Sequence, residues 1–389
     1  WRWVFYVNLP VGIAALAVVT KTLHLRHTRL DHRIDWAGAA LLSTSLVPLL
    51  LVAEQGREWG WGSTNAIICY VIGVVAAIGF FWQEHRMGEE AILPLAMFRN
   101  KTVGVASIAS VLIGVAMFGG LAALPLYLQI VKGATPTEAG LLLLPMTLGI
   151  MIGSILSGQI ISRTGRYRVF PIVGSALLTI SLFIFHYVAY DTPLWQTMIV
   201  MTMFGVGLGF NFQPLTLAVQ NAVPPQQIGV ATSTATFTRQ IGGTLGTAVF
   251  LSILFSTASE KITTALAAAV PTQEFQAALA DPANAAVAEQ FAAAQSGGGA
   301  ATSVLSDSSF LTGLDERLAK PFLIGFSEAM DLVFLTGSAV MVLGFLVMLM
   351  LPNVELRKSA SYGQRENDGA PSDADAANDV DDAAVIAHP

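Results

Sequence analysis

Gly158-Gln159-Ile160-Ile161-Ser162-Arg163-Thr164-Gly165-Arg166-Tyr167-Arg168 closes a stretch with no charged residue from Ala139 to Ser162. At about 1.5 Å of rise per residue, a helix of that length crosses the roughly 30 Å of hydrocarbon in a bilayer. Arg163, Arg166 and Arg168 then follow at once, and such a basic cluster holds a helix end in the polar phase on one preferred side of the membrane. The stretch therefore reads as a membrane span with a basic loop at its end.

Working outward, the same pattern recurs along the chain. Uncharged or nearly uncharged runs at about 3–22, 36–54, 64–83, 103–131, 138–161, 169–189, 194–219, 229–256 and 329–351 predict nine helical spans. Pro224-Pro225-Gln226-Gln227 divides the long uncharged run between two of them, because a proline pair stops a helix. Composition agrees: over 389 residues, 54% are hydrophobic and 12% charged, with a mean hydropathy of +0.62. A soluble chain carries about twice that charge, so the fold class is an all-α polytopic membrane protein.

Basic residues set the orientation. Lys21, Arg26, Arg29 and Arg33 follow the first run, Arg86, Arg99 and Lys101 the third, and Arg163, Arg166 and Arg168 the fifth, while the loops after the second, fourth and sixth runs hold Arg57, Lys132 and no basic residue around Asp191. The poor loops are expected outside the cell, and Arg357 with Lys358 after the ninth run places the C-terminus in the cytoplasm. Residues 257–320, rich in Ala and Gly, are expected to form an extracytoplasmic loop of short helices and flexible joints. Residues 353–389, acidic and nearly free of aromatics, read as a disordered tail.

Several chemistries are excluded or find no support. The single cysteine, Cys69, allows no disulfide framework and no Cys-rich metal site. The net charge of −6 arises largely in the tail and says nothing of nucleic acid. His24, His27 and His32 with Asp31 lack recognised zinc spacing and read as a solvated loop. No GxxxxGK[ST] phosphate loop and no nucleophile elbow occurs, so neither ATP-driven transport nor hydrolysis is expected; the chain is not read as an enzyme, and no cofactor is implied.

Three longer motifs carry a resemblance. Trp1-Arg2-Trp3-Val4-Phe5-Tyr6-Val7-Asn8-Leu9-Pro10-Val11-Gly12 resembles the WRWxFxxNxPxG opening of a sixth span. Leu124-Pro125-Leu126-Tyr127-Leu128-Gln129, Gly133-Ala134-Thr135-Pro136-Thr137-Glu138-Ala139-Gly140 and Gly158 to Arg168 resemble the ninth and tenth spans with the loop motif GxLaDrxGrrx. Arg239-Gln240-Ile241-Gly242-Gly243-Thr244-Leu245-Gly246 adds to these. Together they resemble the fourteen-span drug:proton antiporters of the major facilitator superfamily. Ser162 stands where the loop motif usually has Asp, which leaves an Asp–Arg charge relay without its acid.

The resemblance implies a partial facilitator fold. Residues 1–22 would be the last helix of an N-terminal bundle, 23–88 two linker helices with their loops, 89–352 a complete C-terminal six-helix bundle with its loop 257–320, and 353–389 the tail. The first five spans would be missing, and with them a bundle needed for transport. The implied function is proton-coupled efflux of lipophilic or cationic drug-like compounds by alternating access, in the bacterial inner membrane. The alternatives are an exporter dedicated to one metabolite or natural product, or a non-transporting fragment. Implied partners are the small-molecule substrate, protons and the lipid bilayer, with no nucleic acid.

Individual residues follow. Gly158, Arg163, Gly165, Arg166 and Arg168 form a candidate gating loop, although topology alone accounts for the arginines. Glu138, Arg239 and Asp331 are candidates for coupling or gating. Thr135-Pro136-Thr137-Glu138 also reads as a capping box with Pro at the first helical position, and Arg239 as an anchor inside an uncharged run. Phe118, Tyr127, Gln129, Met146, Phe204, Asn211, Gln213, Phe237 and Gln240 are candidates for a substrate cavity that would take varied molecules by adaptable packing. Gly149/Gly153, Gly205/Gly209 and Gly242/Gly246 have the small-xxx-small spacing of closely packed helices.

Overall fold

The computed structural model describes residues 6–22, 35–284 and 314–353. The Trp1–Phe5 part of the opening motif, the histidine loop and the acidic tail lie outside the described residues, as does most of the Gly-rich loop. Among the described residues all regular secondary structure is helical: α1 (Asn8–Thr22), α2 (Trp36–Trp59), α3 (Thr64–Met87), α4 (Lys101–Leu126), α5 (Pro136–Leu142), α6 (Leu144–Thr164), α7 (Val169–Phe185), α8 (Leu194–Asn221), α9 (Ile228–Ala269), α10 (Gln273–Ala280) and α11 (Glu316–Leu349). Each of the nine expected spans contains a helix. Seven helical segments are long and apolar enough to cross a membrane, and α1 and α7 are shorter apolar helices.

α2 and α3 form an antiparallel pair, while α4, α6, α7, α8, α9 and α11 pack into a bundle whose main seams are α4–α9, α6–α8, α7–α8 and α9–α11. Glycines make two of these seams. A Cβ on Gly205 would run into the Met146 carbonyl, one on Gly149 would lie 2.6 Å from the Thr202 carbonyl, and one on Gly153 2.8 Å from that of Val206. The two glycine pairs therefore face each other across α6 and α8. On α9, Gly242 and Gly246 meet the Val111 and Val115 carbonyls of α4. In lipid, where apolar burial drives little association, this backbone approach is what holds helices together. Ile68, Val75, Ile78, Leu148, Ile152 and Ile155 stay exposed on the outer faces, as lipid-facing side chains should.

Two helices run farther than the sequence predicts. α9 continues to Ala269 instead of ending near 256, and α11 begins at Glu316 instead of 329. At about 63 Å and 51 Å, both exceed a bilayer with its headgroups, about 45 Å. The expected ends were set by the first charges, Glu260 and Lys261 in one helix and Glu328 in the other. In the structure Lys261 pairs with Glu328 at 3.3 Å, and a Cβ on Gly325 would lie 2.5 Å from the Ile262 Cα. Ala-rich sequence favours helix, so the two helices continue past the lipid as a packed pair. α10 then folds Phe275 and Ala278 onto Leu318.

Candidate functional site

The loop after α6 is built by its cap. Gly165 takes a left-handed φ of 71° and its amide donates to the Ile161 carbonyl at 2.8 Å, closing the helix. The turn sends Arg163 and Arg166 into the open, both exposed. Arg168 behaves differently: its Nη2 donates to the Leu349 carbonyl at 2.8 Å, a cation on the last turn of α11. Tyr167, which the sequence did not single out, is buried and donates from its hydroxyl to the Pro352 carbonyl at 3.0 Å. Its partner lies far along the chain, so no local pattern marks it. Ser162 donates back to the Gln159 carbonyl at 2.8 Å, and Gly158 has open space where a side chain would be.

At the opposite end of the bundle, α4 passes through Pro125 into a π-helical turn, Tyr127–Val131. Such turns break the regular ladder and often mark functional positions. Tyr127 is buried and donates from its hydroxyl to the Ala189 carbonyl at 3.1 Å. Lys132 Nζ donates to the carbonyls of Tyr190 at 2.6 Å and Thr192 at 2.7 Å, and lies 5.6 Å from the centre of the Tyr127 ring. Burial holds the Lys132 amine below its ordinary value. Asp331 of α11 closes this end: its backbone carbonyl lies 3.2 Å from His186 Nδ1, and its Oδ1 is buried with no hydrogen-bond partner.

Glu138 is exposed, and its carboxylate accepts from the Thr135 amide at 2.9 Å while the Thr135 hydroxyl accepts from the Glu138 amide. The capping reading is thus realised in full. Arg239 is half-buried, with Cζ 5.0 Å over the Phe212 ring.

The nine cavity candidates divide. Tyr127, Met146, Phe204 and Asn211 are buried inside the bundle. Phe204 meets Phe185 edge-on at 6.4 Å, and Phe185 stacks on Phe334 at 5.0 Å, so this ring sits where α7, α8 and α11 converge. Asn211 donates to the Gly207 carbonyl at 2.7 Å beside Gly174 of α7, and its Oδ1 is buried without a partner. Gln213 and Gln240 are exposed, and Phe118, Gln129 and Phe237 are half-buried. Sequence spacing could not separate these groups, since an apolar run gives no sign of which face meets another helix.

A further polar cluster joins α2 and α3. Asp35 Oδ1 accepts from the Gly38 amide at 2.8 Å and from Gln83 Nε2 at 3.0 Å, and Glu84 Oε2 accepts from the Leu93 amide at 2.8 Å. Both carboxylates are buried and each keeps one oxygen unpartnered. Neither residue was singled out from sequence; their position at the margins of apolar runs was the available signal.

These features define a multi-pass helical membrane protein. The family profile described as Major Facilitator Superfamily matches residues 1–247, and the chain belongs to that superfamily. It is 37% identical over 325 residues to a tetracycline resistance determinant of Streptomyces rimosus, covering 83% of this chain and 92% of that one. It is 31% identical over 359 residues to an uncharacterised MFS-type transporter of Mycobacterium tuberculosis H37Rv, covering 92% of this chain and 48% of that one. It is also 32% identical over 239 residues to multidrug resistance protein 3 of Bacillus subtilis, covering 61% and 46%. The chain thus spans about half the length of the latter two relatives.

Proposed function

We propose that the chain is part of an efflux transporter of the cell membrane that exchanges protons for lipophilic drug-like compounds. The observation that carries this reading is the 37% identity to the tetracycline resistance determinant over 92% of that protein, together with a bundle whose seams are glycine-lined and whose one end carries exposed arginines. On this reading residues 89–352 are the C-terminal bundle, α2 and α3 the linker pair, and the Arg163–Arg168 end with the C-terminus is cytoplasmic. Alternating access then rocks this bundle against an N-terminal bundle that includes α1.

Asp331 is the proposed proton carrier of this half. A carboxyl group inside a span, with one oxygen buried and unpartnered, is expensive when charged and is relieved by a proton. Glu138 is the weaker choice, being exposed and engaged in its capping box.

The test is transport by the gene product in inverted vesicles energised with a proton gradient. Lipophilic fluorophores of both charges should accumulate, and an uncoupler should abolish the accumulation. Correctly inserted protein that moves none of them sinks the efflux reading; movement that survives the uncoupler sinks the proton coupling.

A further inference from the structure

Arg239 is the only charged residue from Leu194 through Ser259, a stretch that covers all of α8 and most of α9. It lies eleven residues into α9, about 16 Å along the helix and so near the middle of the hydrocarbon. Gly114 of α4 packs directly against its carbonyl, which fixes its place in the bundle. Its guanidinium lies over Phe212 with Cζ 5.0 Å from the ring centre, and none of the ion pairs among the described residues includes it. A lipid-facing arginine at this depth costs several kcal/mol, whereas a ring face returns about 0.5–2 kcal/mol.

Its surroundings are those of a wet face. Ser233, Thr236, Gln240 and Thr244 are all exposed on α9 at spacings of three or four, which places them on one stripe. Gln213 of α8 is exposed as well, and Gln220 Nε2 donates to Thr232 Oγ1 at 2.8 Å across the same hairpin. The Ser233, Thr236 and Thr244 hydroxyls donate back to the Val230, Thr232 and Ile241 carbonyls of their own helix. The water requirement therefore comes from the exposed amides Gln213 and Gln240 beside Arg239, which at membrane depth belong beside a water-filled cavity because lipid cannot satisfy them.

We propose that Arg239 is the anion-binding group of the substrate face: the transported molecule offers it a carboxylate, enolate or similar delocalised anion and lays its apolar body along Phe212 and Phe237. A guanidinium fork binds two such oxygens at once, and the stretch holds no carboxylate to favour a cation. The inference rests on the efflux reading and narrows its substrate class from lipophilic compounds of either charge to those bearing an anionic group, anionic or zwitterionic.

Dansylglycine and dansylcadaverine share one fluorescent body and carry opposite charges. With the protein in nanodiscs of uncharged phosphatidylcholine at pH 7, it should bind the anionic probe at least tenfold more tightly. Arg239→Gln should weaken the anion by about tenfold or more while leaving the cation unchanged or tighter. Thr236→Asp, which sets a carboxylate one turn from Arg239 on the exposed stripe, should reverse the preference and guards against a Gln variant that does not fold. No preference in the wild type overturns the proposal, as it would if a carboxylate from elsewhere in the protein neutralised Arg239. So does an equal effect of Arg239→Gln on both probes, or unaltered selectivity in Thr236→Asp. Binding is read without a proton gradient, so failed efflux with intact anion selectivity overturns only the efflux reading, and efflux without that selectivity overturns only the anion site.

Discussion

Tyr167 and Arg168 separate two jobs that one short loop performs. Both donate to carbonyls at or just past the end of α11, so they tie the loop to the bundle. Tyr167→Phe keeps the buried ring and leaves the Pro352 carbonyl to find water. It should cost about 1 kcal/mol, read as a lower thermal midpoint with transport otherwise normal. Tyr167→Ala also empties a buried ring site and should cost roughly 3–5 kcal/mol. Asp331 makes the opposite case, a polar group whose free oxygen is no use to stability. On the proton-carrier reading, Asp331→Asn keeps the shape and removes the titrating group. Substrate binding should survive while gradient-driven accumulation falls at least tenfold; accumulation equal to wild type would assign the proton elsewhere.

At the scale of elements, close approach of backbones decides what can be changed. Gly205→Leu would drive a side chain into the Met146 carbonyl and wedge α8 from α6, which should cost at least the 1–3 kcal/mol typical of overpacking and lower the yield of folded protein. Gly140→Leu meets nothing within 4 Å and should leave the yield unchanged; equal yields for the two variants would refute the seam. Spacing alone had marked all three glycine pairs, but their pairing across α6 and α8 became legible only in three dimensions. The ends of α9 and α11 were illegible for a related reason: hydropathy finds the lipid boundary, and these helices outlast it. The start of α11 also depends on Asp315, its N-cap, whose carboxylate accepts from the Arg317 amide and side chain at 2.9 Å and 3.0 Å. Arg317 holds that carboxyl well below the usual range. A depressed carboxylate lends stability above its unfolded value, about pH 3.9, and loses it as pH falls toward the folded value. Hydrogen exchange in the first turn of α11, corrected for intrinsic rate, should therefore be flat from pH 7 to 5 and rise below about pH 4.

On the scale of the whole molecule, the two ends of the bundle are built for different purposes. The Lys132 end is knotted by side chain to backbone hydrogen bonds across α4, the 186–192 connection and α11. The Arg163 end leaves two cations exposed beside a capped turn. Basic residues at that end were legible from sequence because topology demands them, and topology alone would be content with any lysine or arginine nearby. A gating role demands more: a cation held at one place by Gly165, meeting the other bundle only when that side of the transporter is closed. Arg166→Ala removes a side chain with no hydrogen bond or ion pair among the described residues, so the thermal midpoint should stay within error of wild type. Transport should nevertheless fall severalfold, and Arg166→Lys, which keeps the charge, should recover part of it. Arg168→Ala is the control in the other direction, with a midpoint lowered by the loss of about 1 kcal/mol in its bond to Leu349. Normal transport by Arg166→Ala, at normal expression, would reduce the exposed arginines to markers of orientation.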